Sequence, residues 1–166
     1  MATLIVVDGD SVEGTDKHNV SGQAINPAQP PVPPTIPGAW IADFDYVGAM
    51  TDQLSDFVSI GGAAVATVGS KSTLNPGESV PPAGKHSGPQ GSNFMPPSPT
   101  PVAISLSISE PVGDGFPGAG TGSSFVSIGG EAVLLDGDAI DTCDGLSVPA
   151  NSTVTAEGQD FVNCSA

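Results

Sequence analysis

Nine residues, Phe57-Val58-Ser59-Ile60-Gly61-Gly62-Ala63-Ala64-Val65, return 68 positions later as Phe125-Val126-Ser127-Ile128-Gly129-Gly130-Glu131-Ala132-Val133, with one substitution. Repetition of one segment implies a repeated local unit, and a fold with internal pseudo-symmetry is expected. Each copy reads as a short strand, a double-glycine turn and a second strand, the pattern of a β-hairpin. A second echo links the N-terminus to the later copy. Val6-Val7-Asp8-Gly9-Asp10-Ser11-Val12-Glu13 parallels Leu134-Leu135-Asp136-Gly137-Asp138-Ala139-Ile140-Asp141, and Asp-Gly favours a tight turn between strands.

The rest of the chain agrees with an all-β fold. Valine occurs 17 times, and its branched Cβ packs well on a pleated surface. Val102 to Ile108 alternates apolar and small residues with the period of a strand. Ala39 to Val47 does likewise and places Trp40, Ala42, Phe44 and Tyr46 on one face. The segment from Val47 to Leu54 is the one stretch that reads as a short helix. With 22 glycines and 17 prolines the chain is rich in turns, and the expected core is thin. One domain over 1–166 is expected, with proline-rich surface loops at 26–37 and 93–101.

Eighteen acidic residues against three lysines and no arginine give a net charge of −15. Phosphate backbones and anionic lipid surfaces are repelled by such a chain, so nucleic acid is not an expected partner. The opening Met1-Ala2-Thr3-Leu4-Ile5 has neither the basic n-region nor the long apolar stretch of a signal peptide, so synthesis and assembly in the cytoplasm are expected.

Few residues suggest chemistry. The chain holds two histidines and two cysteines, His18, His86, Cys143 and Cys164, a tally that fits a closed structural zinc site. Such an ion would add folding free energy that a thin core lacks. No C-x-x-C or H-x-x-x-H spacing supports it, so two surface histidines with two unrelated cysteines remain an alternative. So does a Cys143–Cys164 disulfide, worth about 3 kcal/mol in the chain-entropy picture. Asp8-Gly9-Asp10 and Asp136-Gly137-Asp138 lack the further acids of a calcium loop and read as turns. The double glycines are followed by no Lys-Ser or Lys-Thr pair, and no serine sits in a G-x-S-x-G elbow, so catalysis is not expected.

The repeated hairpin with the I-G-G-x-A-V core, the Gly-Asp-x-Ile stretch after it and its Gly-Asp-x-Val counterpart at 9–12, the dispersed histidines and the late cysteines resemble the PAAR-repeat proteins. These cap the trimeric spike of type VI secretion systems, phage tails and extracellular contractile injection particles. The stretch from Gly9 to Gly22 looks like tip proteins of the phage-tail-like branch. The resemblance spans about half of the chain. It implies a short cone seated on the blunt three-fold end of a trimeric spike protein. The particle then carries this cone at its apex and uses it to puncture a target membrane. It also implies one structural zinc ion. Family tips are described with three histidines and one cysteine; this chain has only two histidines, so the implied set is His18, His86, Cys143 and Cys164. Two other classes remain open on the residues alone. One is a small metal-dependent hydrolase using His86 and the Asp-Gly-Asp acids. The other is a surface adhesion module with the disulfide.

Overall fold

The computed structural model describes residues 2–25, 35–74, 86–87, 102–108, 114–142 and 151–165. Among these there are fourteen strands and no helix. They are β1 (Ala2–Leu4), β2 (Ser11–Ile25), β3 (Thr35–Asp52), β4 (Ser59–Ile60), β5 (Ala63–Ala64), β6 (Lys71–Leu74) and β7 (His86–Ser87). The remainder are β8 (Val102–Ile108), β9 (Phe116–Pro117), β10 (Ser127–Ile128), β11 (Glu131–Ala132), β12 (Ala139–Asp141), β13 (Ser152–Thr155) and β14 (Asn163–Ser165).

Three short segments form the centre of the fold: Ile5–Val7, Val65–Thr67 and Val133–Leu135. Each bridges both of the others, through Ile5 to Leu135, Val7 to Val65 and Thr67 to Val133. Their middle residues close a ring of three backbone hydrogen bonds. Val6 N donates to Leu134 O, Leu134 N to Ala66 O, and Ala66 N to Val6 O, each at 3.0 Å. The next residues repeat the cycle, with Asp8 N donating to Ala64 O, Val68 N to Ala132 O and Asp136 N to Leu4 O at 2.8–2.9 Å. One chain thus builds a pseudo-three-fold axis.

Each segment ends in a turn closed by the same pair of hydrogen bonds. The amides of Val7, Thr67 and Leu135 donate to the side-chain oxygens of Asp10, Ser70 and Asp138, at 2.7, 2.9 and 2.8 Å. In return the amides of Asp10, Ser70 and Asp138 donate to the Val7, Thr67 and Leu135 carbonyls. The two Asp-Gly-Asp turns therefore have a third member, Thr67-Val68-Gly69-Ser70, where a hydroxyl does the work of the carboxylate.

The ring divides two apolar cores, because its residues alternate sides as an extended chain requires. Val6, Ala66 and Leu134 belong to the upper core with Val12, Met50, Ile140 and Val154. Ile5, Val7, Val65, Val133 and Leu135 belong to the lower one with Ile60. The upper core is wrapped by strands that leave the three turns, β2, β6 and β12, and by strands that return, β3, β9 and β13. They pair in the order β6-β3-β2-β13-β12-β9, and the Ser72–Gly115 bridge joins the two ends. The enclosure is narrow. At equivalent positions Val12, Ser72 and Ile140 face Gly48, Gly115 and Ser152 across the strand pairs. A Cβ at Gly115 would collide with Ser72, Ile140 and Thr142. Above this layer Tyr46 Oη and Ser72 Oγ share a hydrogen bond at 2.9 Å, and Thr142 and Ser152 share another at 2.8 Å. Every buried hydroxyl named here thus has a partner, as burial demands.

Two sequence expectations change. Val47 to Leu54 is not helical, since β3 continues to Asp52. Met50 N donates to Asp10 O and Met50 O accepts from Gly9 N, so the turn of another unit takes the bonds that a helix would use within itself. Met50 is fully buried there. The proline-rich stretch also ends earlier than 37, because Thr35 to Pro37 open β3 and Pro37 pairs with Gln23 of β2. Among the described residues no second strand flanks that point, so the missing proline N–H leaves no gap in a ladder. Residues 26–34 and 93–101 lie outside the described residues.

Candidate functional site

Below the ring, three equivalent units form one end of the protein. The second unit is β4–β5 and the third is β10–β11, each closed by its Gly-Gly pair with φ of +63° and +97° or +96°. Positive φ at both central residues is what a tight turn matched to strand twist needs, and glycine reaches it without strain. The first unit has no such turn. It is made by the two chain ends, with β14 pairing against β1 so that Ala2 faces Ser165, Thr3 faces Cys164 and Leu4 faces Asn163.

The same hydrogen bonds hold all three. The amides of Val65, Val133 and Ile5 donate to the carbonyls of Val58, Val126 and Val162 at 3.1, 3.1 and 3.2 Å. The amides of Val58, Val126 and Val162 donate to Ser55 Oγ, Ser123 Oγ and Gln159 Oε1. In the first unit Gln159 also donates its Nε2 to Ile5 O and Val162 O, at 2.9 and 3.0 Å. The first of these replaces the backbone bonds that Ser55 N and Ser123 N make to Val65 O and Val133 O.

This arrangement sends one phenylalanine outward from each unit. Phe57 and Phe125 are 75% exposed and Phe161 is 63% exposed. The Phe161 ring tip lies 3.8 Å from where a Cβ at Gly61 would stand, and that of Phe57 lies 3.9 Å from the same point at Gly129. Two of the three rings are therefore laid across the glycine turn of the next unit, while the unit that follows Phe125 has no glycine turn. The three units carry Asp56, Glu131 and Asp160 and no lysine or arginine. Glu131, the one departure between the two sequence copies, accepts a hydrogen bond from Thr67 Oγ1 at 2.6 Å and so ties the third unit to the second turn.

The residues expected to hold zinc are distributed as follows. His18 and His86 both pair with Ala42, on opposite sides of β3, and so stand on one register row. Cys143 lies outside the described residues. Cys164 is a half-buried free thiol packed on the lower core. In its unit it takes the place held by Ile60 and Ile128, an aliphatic position on the far side of the ring from the β2–β3–β7 row. The structure thus brings the two histidines into register and sets Cys164 apart. Among the described residues no three His, Cys, Asp or Glu side chains converge.

Three of the four Asp-Gly-Asp acids are spent on backbone amides, and Asp8 is exposed. Asp10, 1% exposed, accepts from Val7 N through one oxygen and from Glu157 N and Gly158 N through the other. Asp138 accepts from Leu135 N and Gly122 N, and Asp136 from Ala156 N. The sequence reading missed the first unit and with it Phe161. The signal was present in Phe161-Val162, which repeats Phe57-Val58 and Phe125-Val126. Comparison with protein families, with curated proteins and with solved structures gives no match.

Proposed function

We propose that this chain is a structural spike-tip protein, similar in role to the PAAR-repeat tips, that caps the trimeric spike of a contractile injection particle and meets the target membrane first. The observation that carries this reading is the ring of Val6, Ala66 and Leu134, with three equivalent units around it. A single chain that seats on the end of a homotrimer must offer three like contacts, and closed three-fold arrangements otherwise take three chains. The narrow, strand-wrapped upper core fits a mechanical role, since a densely hydrogen-bonded β body resists deformation. No catalytic step is part of this function.

The direct test is stoichiometry. Mixed with the purified trimeric spike protein of the same particle, the chain should form a complex of one copy per trimer by native mass spectrometry. Three copies per trimer would show that the internal symmetry is not used to match the spike.

A structural zinc ion belongs to the same reading, supported by the shared register row of His18 and His86. Metal analysis of the purified chain should then give one zinc that is lost in His86→Ala and Cys143→Ser. Because Cys164 packs as an aliphatic residue, Cys164→Ser should retain it. A metal-free chain that melts cooperatively would remove the ion and leave the three-fold argument standing.

A further inference from the structure

We propose that Phe57, Phe125 and Phe161 are the docking contacts of this protein, each entering one of three identical apolar pockets at the end of a homotrimeric spike, with basic side chains beside the pockets. The proposal rests on the spike-tip reading and names its interface.

Large aromatic side chains at 63–75% exposure leave apolar surface in water, and here three of them stand at three-fold-related positions on one end. Aromatic anchors of this kind dominate interface energies when a partner pocket covers them. The placement of Phe161 over Gly61 and of Phe57 over Gly129 lays two of the three rings against a neighbouring turn before any partner arrives, which lowers the ordering cost of binding at those two positions. A partner without three-fold symmetry would engage one ring and leave two wet. A homotrimer offers three like pockets at once.

Charge selects among trimer, second copy and membrane. Asp56 and Asp160 are exposed beside Phe57 and Phe161, and no lysine or arginine lies in any of the three units. Two such ends facing one another would bring like charges together, which disfavours a dimer of this chain. An anionic bilayer is disfavoured by the same acids. A spike end with lysine or arginine beside its pockets matches them. The third unit carries Ser124 at the corresponding position, so one of three pockets should depend less on charge.

The test measures binding to the purified trimeric spike protein of the same particle by biolayer interferometry. The variants are Phe57→Ser/Phe125→Ser/Phe161→Ser, Asp56→Lys/Asp160→Lys, and a control, Phe116→Ala, at an exposed ring of the upper body. The triple phenylalanine variant should lose at least about 100-fold in affinity. The double lysine variant should lose about tenfold at low salt and much less at high salt. Phe116→Ala should bind as the parent does. Amide exchange in Phe57–Val65 and Phe125–Val133 should slow on binding, while exchange in β12 and β13 stays unchanged. The mutated rings are exposed, so the triple variant should keep its melting temperature. A folded triple variant that binds within about threefold of the parent overturns the docking assignment and leaves the spike-tip reading intact. A parent chain that binds no spike overturns both. A chain that dimerises alone, and becomes monomeric when the three rings are removed, overturns the trimer as occupant.

Discussion

The second and third units share eight of nine residues, whereas the first, joined from the two chain ends, repeats only the Phe-Val pair of that stretch. All three nevertheless make the same backbone pairing and the same amide-to-side-chain bond at the valine that follows the phenylalanine. The difference teaches that this architecture is specified by where hydrogen-bond groups stand more than by which side chain supplies them. Gln159 does in one residue what Ser55 and Ser123 do with a hydroxyl and a backbone amide together. At the turns, Ser70 replaces the carboxylates of Asp10 and Asp138 in the same way.

The most severe way to break the comparison is to remove residues 161–165. Without β14 the first unit loses its partner strand and the lower core loses Val162 and Cys164, so the loss should be on the order of 4 kcal/mol or more, with cooperative melting abolished. Circular dichroism melts check this. The ring gives a sharper probe because its three inward residues differ in size. Leu134→Ala should cost about 2–5 kcal/mol in chemical denaturation. Adding Ala66→Leu returns the lost volume to the same core from a symmetry-related position and should recover part of the cost. If the double variant is worse than the sum of its parts, the ring positions are not interchangeable. Next, Gln159→Ala should cost about 2–3 kcal/mol, since it removes a 6%-exposed amide that serves both donors and acceptors. Ser55→Ala, which removes one acceptor, should cost about 1 kcal/mol. Equal losses would show that Gln159 does not carry the double load. The smallest effect belongs to Cys164→Ile, which restores the residue of the other two units and should change stability by less than about 1.5 kcal/mol.

Much of this was legible in the residues. The all-β class followed from valine content and alternation, Val102 to Ile108 is a strand over that span, and hairpins stand at both Gly-Gly copies. What escaped was the number three. Thr67-Val68-Gly69-Ser70 carries no acid, so a search for Asp-Gly-Asp passes over it, although its hydroxyl makes the same bond. The first unit is divided between residues 2–5 and 159–165, and no local window contains both halves. The short helix expected from Val47 failed for a related reason. The partners of Met50 are the Asp8–Asp10 turn, far away in sequence, and local propensity is blind to them. The histidine row was equally hidden, because only the pairing of β2 and β7 on either side of β3 brings His18 and His86 together.

Pairing Ala2 with Ser165 also sets the order in which the molecule can be finished. Strand β1 leaves the ribosome well before its partner β14, and the central ring needs segments from three distant parts of the chain before any one of them is complete. Such topology places a large loop-closure cost ahead of the reward, so folding should be slow and all-or-none. A nascent chain that has not yet released β14 would carry an exposed lower core and would be a target for chaperones or proteases. Once closed, the same clasp means that neither β1 nor β14 can peel away without opening a unit of the three-fold body, which favours slow unfolding over mere equilibrium stability.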